Sequence, residues 1–144
     1  MVTVLLVAGL ACTRRLGAPA LQLDDAFAWH AVHAPWSDVI STMRQGHDGG
    51  GLVYMSLLKI THDVLGDDEW ILRLPGVLAT LAMILFIMLA GRELAGPQGA
   101  LVGGIILAVH PQVVEASRHL KTYPVLMMAT TLGLWGLCRC ANNK

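Results

Sequence analysis

Three long stretches without Asp, Glu, Lys or Arg punctuate the chain: residues 74–91 (18 residues), 94–114 (21 residues) and 122–138 (17 residues). Each comes near the roughly 20 apolar residues that cross about 30 Å of hydrocarbon. Lipid offers no hydrogen bonds to the backbone, so runs of this length and apolarity are helices rather than strands. Residues 1–12 are apolar as well, but at ~1.5 Å per residue they cover only about 18 Å. They read as the end of a first membrane helix whose beginning is clipped. The pattern predicts an all-α polytopic membrane protein with about four membrane helices, at 1–12, 71–91, 94–114 and 122–140. A long external loop, 13–70, separates the first from the second. The whole reads as a single membrane domain and as a fragment of a larger one.

Between Thr13 and Trp70 the pattern changes. This region holds eight of the ten acidic residues (Asp24, Asp25, Asp38, Asp48, Asp63, Asp67, Asp68 and Glu69) and four of the six histidines. Within it, residues 52–65 place Ser56, Lys59 and Asp63 on one helical stripe and Leu57, Ile60 and Val64 on another. That is the pattern of an amphipathic helix lying in the membrane interface, and Lys59 and Asp63 argue against a further span. Arg92 and Glu93, followed by Ala95, Gly96 and Pro97, make a turn between two apolar runs, which predicts an antiparallel hairpin. Alternating spans then return the polar patch 115–123 to the membrane side that carries the 13–70 loop. Lys and Arg are concentrated on that side, which by the positive-inside rule would make it cytoplasmic. The rule weakens for long loops, so charge leaves the orientation open.

Composition agrees with lipid as the solvent. The chain is 55% hydrophobic and 14% charged, against about 25% charged in soluble domains. Ten basic and ten acidic residues leave no net charge, and nothing marks a nucleic-acid partner. Cys12, Cys138 and Cys140 are odd in number and lie in or beside apolar runs, which argues against a disulfide framework. Gly9 to Cys12 lacks the large aliphatic and the preceding basic residues of a lipoprotein signal.

Three constellations could carry chemistry. Asp24 and Asp25 follow an apolar helix, and a carboxylate there could act as a general base, hold a divalent cation, or simply cap a helix. His30 and His33 stand three apart and could share a helix face, but two ligands without a third assign no metal site. Glu115, Arg118, His119, Lys121 and Tyr123 cluster where a span ends, with Pro124 interrupting the next. Cations and a phenol there suit a lipid-linked phosphate. Ordinary headgroup anchoring is the other reading.

The order of these features resembles the N-terminal part of the GT-C-type, polyprenyl-phosphate-sugar-dependent membrane glycosyltransferases. That group contains the protein O-mannosyltransferase-like and aminoarabinose transferase-like enzymes. The stretch LQLDDAF matches the Asp-Glu type pair that opens the first external loop, and GHDGGGLVYMSLLK stands where a His-Pro-Pro-Leu-Tyr-Tyr type stretch leads into an interfacial helix. WILRLPGVL keeps an Arg-Leu-Pro signature, GRELAG a Gly-Arg-x-Leu-x-Gly turn, and AVHPQVVEASRHLKTYPVL a Ser-Pro type step with a Glu-x-Arg-x-Tyr type patch. The similarity covers most of residues 21–137. Gly49, Gly50 and Gly51 replace the His-Pro-Pro residues, and Asp25 stands where Glu is usual.

The resemblance implies Asp24, then Asp25, as the catalytic base or acceptor-positioning group. It implies Lys121 and Tyr123 at the donor phosphate, to which local chemistry adds Arg118 and His119. His47 and Asp48 are the polar residues left in the glycine-rich stretch and complete the expected substrate-binding set. The implied partners are a lipid-linked sugar donor and membrane lipids, with the 13–70 loop on the non-cytoplasmic side of a bacterial plasma membrane; a divalent cation stays open. Family members have many more spans, so the chain is expected to be an N-terminal portion, inactive alone. The competing class is a small non-catalytic membrane subunit that binds headgroups or a partner protein.

Overall fold

The structure, a computed structural model, describes residues 1–14, 23–44 and 51–142, apart from the side chains of residues 23, 24, 42–44 and 52. Among the described residues it is all-helical. The helices are α1 (Val2–Thr13), α2 (Leu23–His33), α3 (Trp36–Arg44), α4 (Leu52–Leu65), α5 (Glu69–Val109), α6 (Pro111–Arg118) and α7 (Tyr123–Asn142). The all-α expectation therefore holds, while the stretch read as an external loop carries α2, α3 and α4.

The number of membrane helices differs from the expected four. Two helices among the described residues are long and apolar enough to cross a membrane, Glu69–Val109 and Tyr123–Asn142. α1 has 12 residues and is too short. The expected span 71–91 and most of 94–114 fall in one element of 41 residues that ends at Val109, and residues 111–114 open α6. Unbroken, that element would run about 60 Å, twice the thickness of the hydrocarbon. It is not straight: Ala95 (φ −136°) and Gly96 (φ 67°) leave helical geometry just before Pro97. Gly96 takes the left-handed conformation at little cost, and Pro97 removes a backbone donor at the restart.

The two arms fold back on one another. A Cβ on Gly91 would lie 2.8 Å from the Gly99 carbonyl oxygen, and one on Gly104 would lie 2.7 Å from Met88 Cγ. Glycine at these positions lets the backbones approach closely, the packing that joins helices where lipid removes the hydrophobic drive between them. α1 lies against both arms. Val4 and Ala8 share a core with Met83, Ile84, Met88, Ala100 and Ala108, and Cys12 packs with Val77 nearer the other end. α1 therefore runs antiparallel to the first arm. α7 runs parallel to that arm: Trp135 stacks on Phe86 at 5.8 Å, and seven residues further on the Asn142 amide donates to the Glu93 carbonyl at 2.7 Å.

Four rods thus stand side by side, with the α5 turn and the end of α7 at one end. The loop-side end carries a second core of Ala28, Val32, Tyr54, Met55, Leu58, Leu72 and Leu120, which seats α2 and α4 on the bundle. α4 buries Tyr54, Met55 and Leu58 there and turns Val53, Leu57, Ile60 and Val64 outward. The outward residues recur at the helical period, so one face of α4 is an exposed apolar stripe. Lys59 is buried between the two faces, and its Nζ donates to the Val32 carbonyl at 2.8 Å, tying α4 to the end of α2.

Candidate functional site

The loop-side end concentrates the polar chemistry. α6 stops at Arg118, and the link to α7 (residues 119–122) runs beneath the start of α2. Asp25 is fully buried there. Its Oδ1 accepts from the Leu120 backbone N–H at 2.9 Å and its Oδ2 from His119 Nδ1 at 3.0 Å. A residue from the head of the acidic region is thus locked onto the patch 94 positions away that the alternation of spans predicted on the same side. With its two oxygens facing that link, Asp25 joins the halves of the site.

Tyr54 closes the next layer. It is fully buried, and its hydroxyl has no hydrogen-bond partner among the described residues. Burial, reinforced by the nearby Asp25 charge, pushes its phenol well above the ordinary tyrosine range. Tyr54 therefore stays a neutral phenol at physiological pH. Arg73, from the Arg-Leu-Pro signature, is fully buried and ion-paired with Glu69 one turn earlier. A buried guanidinium is tolerable only when paired, and Glu69 supplies that partner.

The other candidates take different positions. Arg118 Nη2 donates to the Ala11 carbonyl at 2.6 Å and Nε to that of Cys12 at 3.4 Å. It satisfies carbonyls at the end of α1, where a cation also complements the helix dipole. Lys121 is half-buried and Tyr123 outward-facing at the head of α7. Between them Thr122 Oγ1 accepts from the Gly51 N–H at 3.1 Å, drawing the end of the triple glycine onto the same link. The structure thus brings Asp25, His119, Lys121 and Tyr123 to one region and puts Arg118 against α1. The Asp24 side chain and all of His47 and Asp48 lie outside the described residues. His30 is exposed, whereas His33, its expected companion, pairs with Asp67 at 2.8 Å.

Sequence reasoning assigned no role to Tyr54 and none to Arg73 beyond its signature. A signal existed for Tyr54, which belongs to the glycine-rich stretch that the resemblance singles out. Nothing along the chain could show that its hydroxyl is sealed beneath α2.

A family model described as dolichyl-phosphate-mannose-protein mannosyltransferase matches residues 50–144, well over half of the chain. No curated protein and no solved structure matches it.

Proposed function

The chain belongs to the dolichyl-phosphate-mannose-protein mannosyltransferase family, which is of GT-C type, and from that premise we propose that its loop-side end is part of a site for sugar transfer from a polyprenyl-phosphate-linked donor to an acceptor hydroxyl. It is an integral membrane protein with glycosyltransferase ancestry. The observation that carries the proposal is the contact of Asp25 with His119 and Leu120, which seats the acidic head of α2 beside the link bearing Lys121 and Tyr123.

In the proposed reaction Asp24, next to the anchored Asp25, takes the proton from the acceptor hydroxyl. The acceptor oxygen forms a bond to the anomeric carbon while the bond from that carbon to the phosphate oxygen breaks. The electron pair leaves with the polyprenyl phosphate, whose charge Lys121 and Tyr123 receive. Asp25 acts as a positioning residue, since both its oxygens face the 119–120 link. His119 holds Asp25, Arg118 ties the link to α1, and His47 and Asp48 are proposed to contribute to substrate binding.

The outward apolar stripe of α4 supports an interfacial helix at the membrane surface. The arms of α5 and α7 would then lie in the membrane with α1 packed against them, and the polar end would face the non-cytoplasmic side of a bacterial plasma membrane. Four rods enclose too little volume for a lipid-linked donor, so the chain is proposed to work as the N-terminal portion of a longer single domain.

The test is sugar transfer from a lipid-linked donor by a longer chain that carries these residues and further spans. Asp24→Asn is expected to lower kcat by about 10²- to 10⁴-fold, the usual worth of a general base. Lys121→Ala is expected to raise KM for the donor. Full turnover in Asp24→Asn would overturn the assignment of the base. No transfer in any longer chain would favour a headgroup-binding subunit instead.

A further inference from the structure

A second polar cluster lies on the outer side of α2 and α4. His33 ends α2 and His62 lies in the last turn of α4, their rings 4.8 Å apart and edge to face. Asp67, in the link to α5, reaches both, with Oδ1 2.8 Å from His33 Nε2 and 3.5 Å from His62 Nε2. One ligand atom from each of the three residues lies within 4.8 Å of the others.

The far nitrogen of each ring is also held. His33 Nδ1 donates to the Trp29 carbonyl at 2.7 Å, and His62 Nδ1 donates to Asp63 Oδ1 at 3.0 Å. Asp63 is itself fixed by Lys59 Nζ at 3.0 Å and Trp36 Nε1 at 3.2 Å. A carbonyl and a carboxylate can only accept, so Nδ1 of each ring carries a proton and each Nε2 is turned to Asp67, His33 Nε2 at 2.8 Å sharing one further proton with it. Metal-bound histidines need this arrangement: an outer acceptor that fixes the tautomer and aims the other nitrogen.

We propose that His33, His62 and Asp67 form a binding site for one Zn²⁺ ion, held by the two Nε2 atoms and a carboxylate oxygen with a fourth position open to water. Two imidazoles and one carboxylate suit zinc; magnesium and calcium take oxygen ligands. Zinc–nitrogen bonds of about 2.0–2.1 Å in a tetrahedron set ligand atoms roughly 3.4 Å apart. Binding would draw the three ligand atoms, now within 4.8 Å of one another, to that spacing. The proton shared by His33 and Asp67 would leave to solvent as the metal enters. The ion would staple the end of α2 to the end of α4 and the following link, steadying the helix that carries Asp24 and Asp25 at its other end. The site is independent of the sugar-transfer reading, because none of its residues belongs to the proposed reaction.

The test uses the full chain in lipid nanodiscs, stripped of metal and titrated with Zn²⁺ alone by calorimetry against a competing chelator. One ion per chain is expected. His33→Ala and His62→Ala should each weaken binding by at least about 100-fold, and Asp63→Asn by about 10- to 100-fold, the usual worth of an outer-shell partner. Asp67→Asn alters only an exposed residue of the link, so its loss of binding would not reflect misfolding. Co²⁺ in place of zinc should give the intense visible absorption of a four-coordinate site. His30→Ala should change nothing. Zinc affinity that survives Asp67→Asn and His62→Ala, or a wild-type chain that takes up no stoichiometric zinc, would overturn the proposal.

Discussion

Replacing Asp25 by Ala tests the central contact of the fold. The carboxylate is fully buried and accepts from the Leu120 N–H at 2.9 Å and from His119 at 3.0 Å. Alanine leaves both donors buried without that acceptor, at about 1–3 kcal/mol for each unsatisfied group. Two such groups put the expected loss at about 2–6 kcal/mol. Asp25→Asn keeps an oxygen for Leu120 and loses mainly the charge-assisted bond to His119, so about 1–2 kcal/mol is expected. The measurement is unfolding in bilayer discs combined with hydrogen exchange at the Leu120 amide. At 1.4 kcal/mol per tenfold, a local loss of about 3 kcal/mol speeds exchange of that amide roughly 100-fold in Asp25→Ala. In the double variant with His119→Ala the costs should fall short of additive by about 1–3 kcal/mol, as they do for residues in contact. Equal effects of Asn and Ala, strict additivity, or unchanged exchange at Leu120 would refute the reasoning.

Four further outcomes are expected. Gly99→Ala should destabilise the hairpin by about 1–3 kcal/mol, the cost of overpacking, because its Cβ would lie 2.7 Å from the Gly91 carbonyl oxygen. Gly133→Ala, with open space around its Cβ, should instead stabilise α7 by about 0.5–1 kcal/mol; detergent-induced unfolding distinguishes the two. Asp63 is held below the ordinary carboxylate range by hydrogen bonds from His62 and then Lys59. Its folded value lies below the unfolded one, so its contribution is present above the ordinary carboxylate pKa and fades as pH falls through the folded value. Carboxyl NMR should show that pKa rise when His62 and Lys59 are both replaced by neutral residues. Arg118→Ala removes charged donors from the carbonyls of Ala11 and Cys12. It should cost about 1.5–3 kcal/mol, read as faster amide exchange in the last turn of α1.

Much of this molecule is legible in the one-dimensional pattern. Long uncharged runs can satisfy their backbone only as helices, so the helical class follows from hydropathy alone. The Ala95-Gly96-Pro97 turn announced the hairpin, because Gly accepts φ 67° and Pro cannot continue a bonded helix. The helix over residues 52–65 was equally visible, since its apolar and polar stripes recur at 3.6 residues. The ordered motifs carried the family.

Tertiary structure decided what sequence periodicity does not encode. It set how the long apolar stretch 69–109 is laid out, because the backbone leaves helical geometry at Ala95 and Gly96 and the two arms pack as separate rods. It decided that Arg118 serves the end of α1 and that His33 meets His62 and Asp67 rather than His30. It also decided that Asp25, half of a carboxylate pair alike in sequence, lies fully buried on a link 94 residues away. These contacts depend on which faces of separate helices come together. That choice is made by small residues such as Gly91 and Gly104 and by buried polar groups that must find partners, and no local spacing along the chain records it.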